Sequence, residues 1–231
     1  MSAVGNNGLA QAASRNFVDG KIDIVGAFGW WEQPKSGLGS DAPWAYHQQA
    51  FGRSGRISAG GAKIGVYDVN GDGLNDVVTV LEAHAWGLAW YEQKKSSSGE
   101  ISFVEHIVMD NFNSGKNADM AFAEPHGTEI ADVDGDGIPD FIVGKRVYSH
   151  QDDFYDPDPY SGAFLYWFKT VRNPSAPGGA ELEPHIIHNW SGAGSEIRAV
   201  DLNGDGKPEI ITSTKLGTFI FWNEIPKAAK K

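Results

Sequence analysis

The feature that most limits what this chain can fold into is a nine-residue acidic segment that occurs three times: DVNGDGLND (Asp68 to Asp76), DVDGDGIPD (Asp132 to Asp140) and DLNGDGKPE (Asp201 to Glu209), at offsets of 64 and 69 residues. A degenerate copy, VDGKID, ends at Asp23 and keeps acids at the fifth and ninth positions, Asp19 and Asp23. Self-similarity at this spacing points to stacked copies of one supersecondary unit.

The residues around each copy define that unit. A β-branched or aromatic run follows every loop: Val77 to Val80, Phe141 to Val143, Ile210 to Thr212, and Ile24 with Val25 after the weak copy. Such runs read as strands. An aromatic stretch comes next, as GWWEQ from Gly29, GLAWYEQ from Gly87, AFLYWFK from Ala163 and GTFIFWN from Gly217. A third run carries a shared histidine, His47, His106 or His185, and a short alternating segment precedes each good loop at Gly61 to Tyr67, Pro125 to Ala131 and Gly194 to Val200. One unit is therefore strand A, acidic loop, strand B, strand C and strand D. The expected fold is all-β, a β-propeller of four-stranded antiparallel blades, with about 3.5 to 4 blades at 9–52, 60–109, 124–189 and 193–224 and a basic tail at 225–231. The first unit has only Leu9 to Ser14 as a poor strand A, and the last has no clear strand D after Trp222. The recurring Trp30, Trp31, Trp90, Trp167 and Trp222 are expected in the core.

In the acidic loops, oxygens at the first, third and fifth positions can converge on one hard cation, and oxygen ligands in number favour calcium. The expected ligands are Asp68, Asn70, Asp72, the Leu74 carbonyl and Asp76 in the first loop. Asp132, Asp134, Asp136, Ile138 and Asp140 form the second set, and Asp201, Asn203, Asp205, Lys207 and Glu209 the third. Glycine at the sixth position supplies a turn that a β-carbon would resist. Position twelve is Thr79, Val143 and Thr212, where an EF-hand needs Glu, so that motif is excluded. Acidic β-turns without metal are the alternative.

Ten of the 30 carboxylates sit in these three loops, and three divalent cations would bring the net charge from −11 to −5. That acidity argues against nucleic-acid backbones and anionic membranes as partners, and no run of apolar residues is long enough to insert in a bilayer. There are no cysteines, which excludes disulfides and thiolate metal sites.

The loops, the start of strand B and the aromatic strand C resemble FG-GAP or VCBS repeats over roughly residues 16 to 223. AHAWGLAWYEQ (Ala83 to Gln93) and EPHGTEIADVDGDGIPDFIVGKR (Glu124 to Arg146) are also distantly similar to the propeller domain of aldos-2-ulose dehydratase, an enzyme of oxidised sugars. The first resemblance implies structural calcium, with extracellular or periplasmic location by family habit. It also implies a ligand face opposite the acidic loops. Because related propellers close with more blades, it leaves open a fragment, a split product or self-association that completes the ring.

On that implied face fall His84, Trp86, Glu124, His126, Lys145, Arg146, Tyr148, His150, Asp152, Asp153, Tyr155 and the segment from Trp190 to Glu196. His84, His126 and His150 are not shared between repeats, so general acid–base work, a second metal on the ligand face and local turn bonding are all open to them. His126 also sits where the dehydratase resemblance implies a histidine. Trp86, Glu124, Arg146, Tyr148, Asp152, Asp153 and Tyr155 are candidate ligand contacts. Two function classes follow. One is a calcium-stabilised module that binds carbohydrate or protein. The other is a sugar lyase or dehydratase in which His126 or His84 abstracts a proton beside a carbonyl while Lys145 or a metal steadies the enolate.

Overall fold

The computed structural model describes residues 13–15, 17, 20–53, 60, 62–111, 120–149 and 157–226. Their strands form four antiparallel sheets in chain order. The first holds β1 (Ala13–Arg15), β2 (Asp23–Gly26), β3 (Gly29–Glu32) and β4 (Ala45–Gln48). The second holds β5 (Gly65–Tyr67), β6 (Asp76–Val80), β7 (Leu88–Lys95) and β8 (Ile101–Met109). β9 (Pro125–Ala131), β10 (Asp140–Lys145), β11 (Leu165–Arg172) and β12 (Ala180–His188) make the third. The fourth has β13 (Ile197–Val200), β14 (Glu209–Thr214) and β15 (Gly217–Phe221). Each sheet is one blade, and the molecule is an all-β partial β-propeller. No described helix is long and apolar enough to cross a membrane.

The second and third blades have a neighbour on each side, which is why their inner strands β6 and β10 are buried along their whole length rather than in alternation. Three cores lie between consecutive blades. Val25 and Trp30 meet Val77 and Tyr91 in one. Val78 and Trp90 meet Phe141 and Phe168 in the next, and Ile142 and Trp167 meet Ile210 and Phe221 in the third.

The shared histidines have a packing role. His47, His106 and His185 each sit directly opposite the strand-C tryptophan, paired with Trp30, Trp90 and Trp167. Their rings stack on the indoles at centroid distances of 4.0, 4.3 and 4.6 Å. His47 and His106 also reach carboxylates on the same strand C, Glu32 at 2.9 Å and Glu92 at 3.1 Å.

Two expectations are corrected. Strand A of the second blade begins only at Gly65, because the Lys63 N–H donates to Thr128 Oγ1 of the next blade at 2.9 Å and so leaves its own ladder. Strand A of the fourth blade likewise begins at Ile197 instead of Gly194. Trp31 is only half-buried and Trp222 is 58% exposed, although both were expected in the core, because each lies on an outward face of an end blade. The expected strand segment 9–12, Asp19 and most of the basic tail lie outside the described residues.

Among the described residues no strand follows β15, so its outer edge is unpaired. Where a fourth strand would lie there is an apolar hollow of about 170 Å³ bordered by Trp167, Ile186, Ile187, Phe221 and Trp222.

Candidate functional site

Alternating connections put the A-to-B loops at one end of the blades, and the B-to-C turns with the starts of strand A at the other. The acidic loops share one hydrogen-bond pattern. The first-position aspartate accepts from the amides of the fourth and sixth residues: Asp68 from Gly71 at 2.7 Å and Gly73 at 3.0 Å, Asp132 from Gly135 at 2.8 Å and Gly137 at 2.9 Å, and Asp201 from Gly204 at 2.7 Å and Gly206 at 2.8 Å. The fifth-position aspartate accepts from the seventh amide, with Leu74 N, Ile138 N and Lys207 N donating at 2.8, 2.9 and 2.9 Å. Both glycines must be glycine: in all three loops they have φ between 75 and 90°, a left-handed conformation that side chains resist. The requirement at the fourth position escapes a reading concerned with oxygen ligands.

Wrapping the chain around its own amides turns the carboxylates together. Oxygens of Asp132, Asp134 and Asp136 lie within 4.8 Å of one another, a donor set suited to a hard divalent cation. The Lys169 ammonium lies against the same acids, touching Asp134 and 2.9 Å from Asp136, which raises its pKa. Lys207 stands 3.6 Å from Asp205, and Arg172 stands 3.8 Å from Asp68. Each loop therefore has a protein cation at its margin.

The ninth-position acid, named above among the expected ligands, is engaged by backbone donors. Asp76 accepts from Val69 N at 2.9 Å and Gln93 N at 2.8 Å, and Asp140 from Val133 N and Thr170 N, both at 3.0 Å. The degenerate copy repeats this, with Asp23 accepting from Phe17 N and Gln33 N at 2.8 and 3.1 Å, while Glu209 accepts from Leu202 N at 2.7 Å. In the first three blades this acid ties the loop entrance to strand C. Burial pushes the Asp76 and Asp140 carboxyls up to about 7, against the pull of those amides.

The opposite end holds a cluster of different character. Glu124 is 1% exposed, and neither of its carboxylate oxygens has a hydrogen-bond partner among the described residues. A carboxylate in that condition costs folding free energy. His84 Nδ1 lies 3.4 Å from Glu124 Oε2, and the His84 and His126 rings meet edge-on with centroids 5.0 Å apart. Arg146 Nη1 donates to His126 Nε2 at 3.3 Å.

The backbone of Glu124 holds these groups together. Its N–H donates to Ala85 O, and its own carbonyl accepts from both His126 N and Arg146 N, all at 2.8 Å. Glu124 does this with φ of 59°; the other described non-glycine residues with positive φ, Tyr148 and Asp158, belong to the same end of blade 3. Strained backbone of this kind costs roughly 1–2 kcal/mol per residue, and its clustering marks a place selected for something other than stability.

The remaining expected residues divide. Lys145 is buried, and its ammonium reaches Asp158 O and Ser161 Oγ, both at 2.5 Å, so it anchors the 157–161 turn beneath the cluster. Trp86 is half-buried, and its carbonyl accepts from Arg53 Nη2 at 3.4 Å. Tyr148 is exposed, its carbonyl held by Lys215, and Tyr160 and Trp190 are also exposed. His150, Asp152, Asp153 and Tyr155 lie outside the described residues. Sequence reasoning missed Arg53, which grips Asp110 through both guanidinium nitrogens at 2.5 and 2.8 Å and steadies the turn carrying His84. Neither residue recurs between repeats, so no pattern could reveal the pair.

Two stretches, residues 68–143 and 132–212, match the family of FG-GAP-like repeats, and together they span more than half of the 231 residues. Each match runs from one acidic loop through strand B of the next blade. No curated protein matches the chain.

Proposed function

The chain belongs to the FG-GAP-like repeat family, and from that premise we propose that it is a calcium-stapled propeller module that binds a carbohydrate on the face opposite its acidic loops. One observation carries the reading: the Glu124 carboxylate is buried beside His84 with no hydrogen-bond partner among the described residues, and a polar ligand on that face would supply what it lacks. Sugar hydroxyls donate to carboxylates and accept from guanidinium groups, so Glu124 and Arg146 suit them. The exposed rings of Tyr148, Tyr160 and Trp190 offer apolar platforms for sugar CH faces at the same end. Calcium would be held by Asp132, Asp134 and Asp136 and by their counterparts in the other two loops. Its chemistry there is charge neutralisation, and the millimolar calcium outside cells suits an extracellular or periplasmic module.

A second reading rests on the contact between Glu124 and His84. A carboxylate beside Nδ1 orients the imidazole and leaves Nε2 as the proton acceptor, so His84 becomes the base of a sugar lyase and Glu124 its positioning residue. His126 suits that task less, because its Nε2 accepts from Arg146. Among the described residues the one group of acids and histidines close enough to hold a metal is Asp132, Asp134 and Asp136, and His84, Glu124 and His126 do not form another.

The test is calorimetric titration of neutral and acidic oligosaccharides into the wild type and into Glu124→Gln and Arg146→Ala, with ultraviolet detection of unsaturated products. Binding that falls at least tenfold in both variants supports the carbohydrate reading, and product formation that disappears in His84→Ala establishes the lyase. Oligosaccharides that bind both variants as tightly as the wild type would overturn the placement of the site.

A further inference from the structure

The second acidic loop departs from the other two in two places, and the two departures touch. Its third position is Asp134, where the first and third loops have Asn70 and Asn203. Two residues past the tryptophan that stacks on the shared histidine, blades 1 and 2 carry Glu32 and Glu92, each bonded to that histidine. Blade 3 carries Lys169 at the same position, after Trp167 stacked on His185. The Lys169 ammonium turns to the loop, where it touches Asp134 and lies 2.9 Å from Asp136. The added acid and the opposing lysine act as one unit: Asp134 is 8% exposed, and a carboxylate buried to that degree needs a counter-charge.

The other two marginal cations are engaged differently. Arg172 donates to the backbone carbonyl of Asp68 at 3.0 Å and stands 3.8 Å from its carboxylate. Lys207 donates to the carbonyls of Asn223 and Ile225 at 2.6 and 3.4 Å. Of the three, Lys169 alone bridges two carboxylates of one expected ligand set, that of Asp132, Asp134 and Asp136. A hard cation drawn to those oxygens needs the same lone pairs that the ammonium occupies, and two cations so close repel.

We propose that Lys169 is the resident counter-ion of the second loop, so that calcium enters by displacing it and Lys169 sets the calcium concentration at which this loop fills. The inference rests on the calcium reading above. Its consequences have opposite signs in the two states. Without metal, the ammonium neutralises crowded acids and holds the loop to strand C. With metal, it is a competitor that must swing out to solvent, which a side chain already 25% exposed on a flexible four-carbon stem can do. The additional acid draws calcium in while Lys169 holds it off, and that combination makes the site exchangeable. The first loop is the built-in comparison, with Asn70 in place of Asp134 and Glu92 in place of Lys169.

The test is a calcium titration of the stripped full chain, followed by heteronuclear NMR at the loop glycines. The amides of Gly135 and Gly137, which donate to Asp132, report the second loop, and those of Gly71 and Gly73 report the first. Lys169→Met should lower the calcium midpoint at Gly135 and Gly137 by roughly tenfold and leave that at Gly71 and Gly73 in place, whereas Lys169→Arg should keep both. Stripped Lys169→Met should also melt below the stripped wild type, with the difference gone or reversed at saturating calcium. A lysine with a purely structural role would give no such crossing. Calcium release from the loaded chain into excess chelator is a second measure that needs no folded metal-free variant, and in Lys169→Met it should slow by roughly tenfold at one site. An unmoved midpoint at Gly135 and Gly137 in Lys169→Met, with calcium still bound, would overturn this proposal and leave the calcium reading standing. Loop signals that ignore calcium in every variant would overturn both.

Discussion

The two ends of the same blades obey opposite rules. At the acidic end, the ninth-position acid of every blade, including the degenerate first copy, accepts one backbone amide from the loop entrance, and Asp23, Asp76 and Asp140 accept a second from strand C. At the other end the side chains of the His84–Glu124–His126 cluster have no counterparts in the other described blades, the Glu124 carboxylate has no hydrogen-bond partner among the described residues, and Glu124, Tyr148 and Asp158 have strained backbones. Repetition at one end follows from each blade needing the same closure. At the other end, departure from repetition is what a site for one ligand requires, since the ligand meets only a few blades. Stability should therefore reside in the acidic end, and changes at the opposite end should alter binding more than folding.

The largest expected effect comes from the metal. Removing calcium should lower the melting temperature by ~20 °C, the result of losing a few kcal/mol at each of three sites in a chain of this size. Metal-free protein should also respond to pH in a defined sense. Asp76 and Asp140 titrate at about 7 in the fold against 3.8 for the free side chain, so between those values the folded state binds more protons than the unfolded. Their contribution is therefore most favourable below about 4 and is lost as pH rises through about 7. Melts of stripped protein across that window should show falling stability, and calcium should flatten the curve. A stripped protein that melts like the loaded one at every pH would remove the contrast between the two ends.

Next is the ninth-position acid. Asp140→Ala leaves the buried amides of Val133 and Thr170 without acceptors, a loss of ~3 kcal/mol by denaturant unfolding in calcium-free buffer. If the substitution costs nothing without calcium, the acid is a ligand alone and the backbone tie is incidental.

The sequence made the acidic end legible because its chemistry is local: nine consecutive residues carry the proposed ligands, the turn glycines and the strand start. The blade order followed from the same spacing, and the stacked histidines were recognisable because His47, His106 and His185 recur in register. Trp31 and Trp222 misled, since an end blade has the same residues as an internal one and only the missing neighbour leaves them wet. The Glu124 cluster was legible as a list but not as an arrangement. His84 and Glu124 come from different blades, and their meeting depends on the hydrogen bond from Glu124 N to Ala85 O and on a left-handed residue that composition does not mark.

The smallest effect on folding is the most informative about function. Glu124→Gln removes a buried carboxylate that has no hydrogen-bond partner among the described residues and keeps the shape of the side chain, so unfolding free energy should rise by ~1 kcal/mol while carbohydrate binding is lost. A structural acid behaves in the opposite way, as Asp140 should. Equilibrium unfolding of the two variants side by side therefore sorts the ends by what each is for: a loss at Asp140 with a gain at Glu124 separates support from site. A loss at Glu124 comparable to that at Asp140 would mean that its carboxylate is satisfied in solution and that the cluster is part of the scaffold.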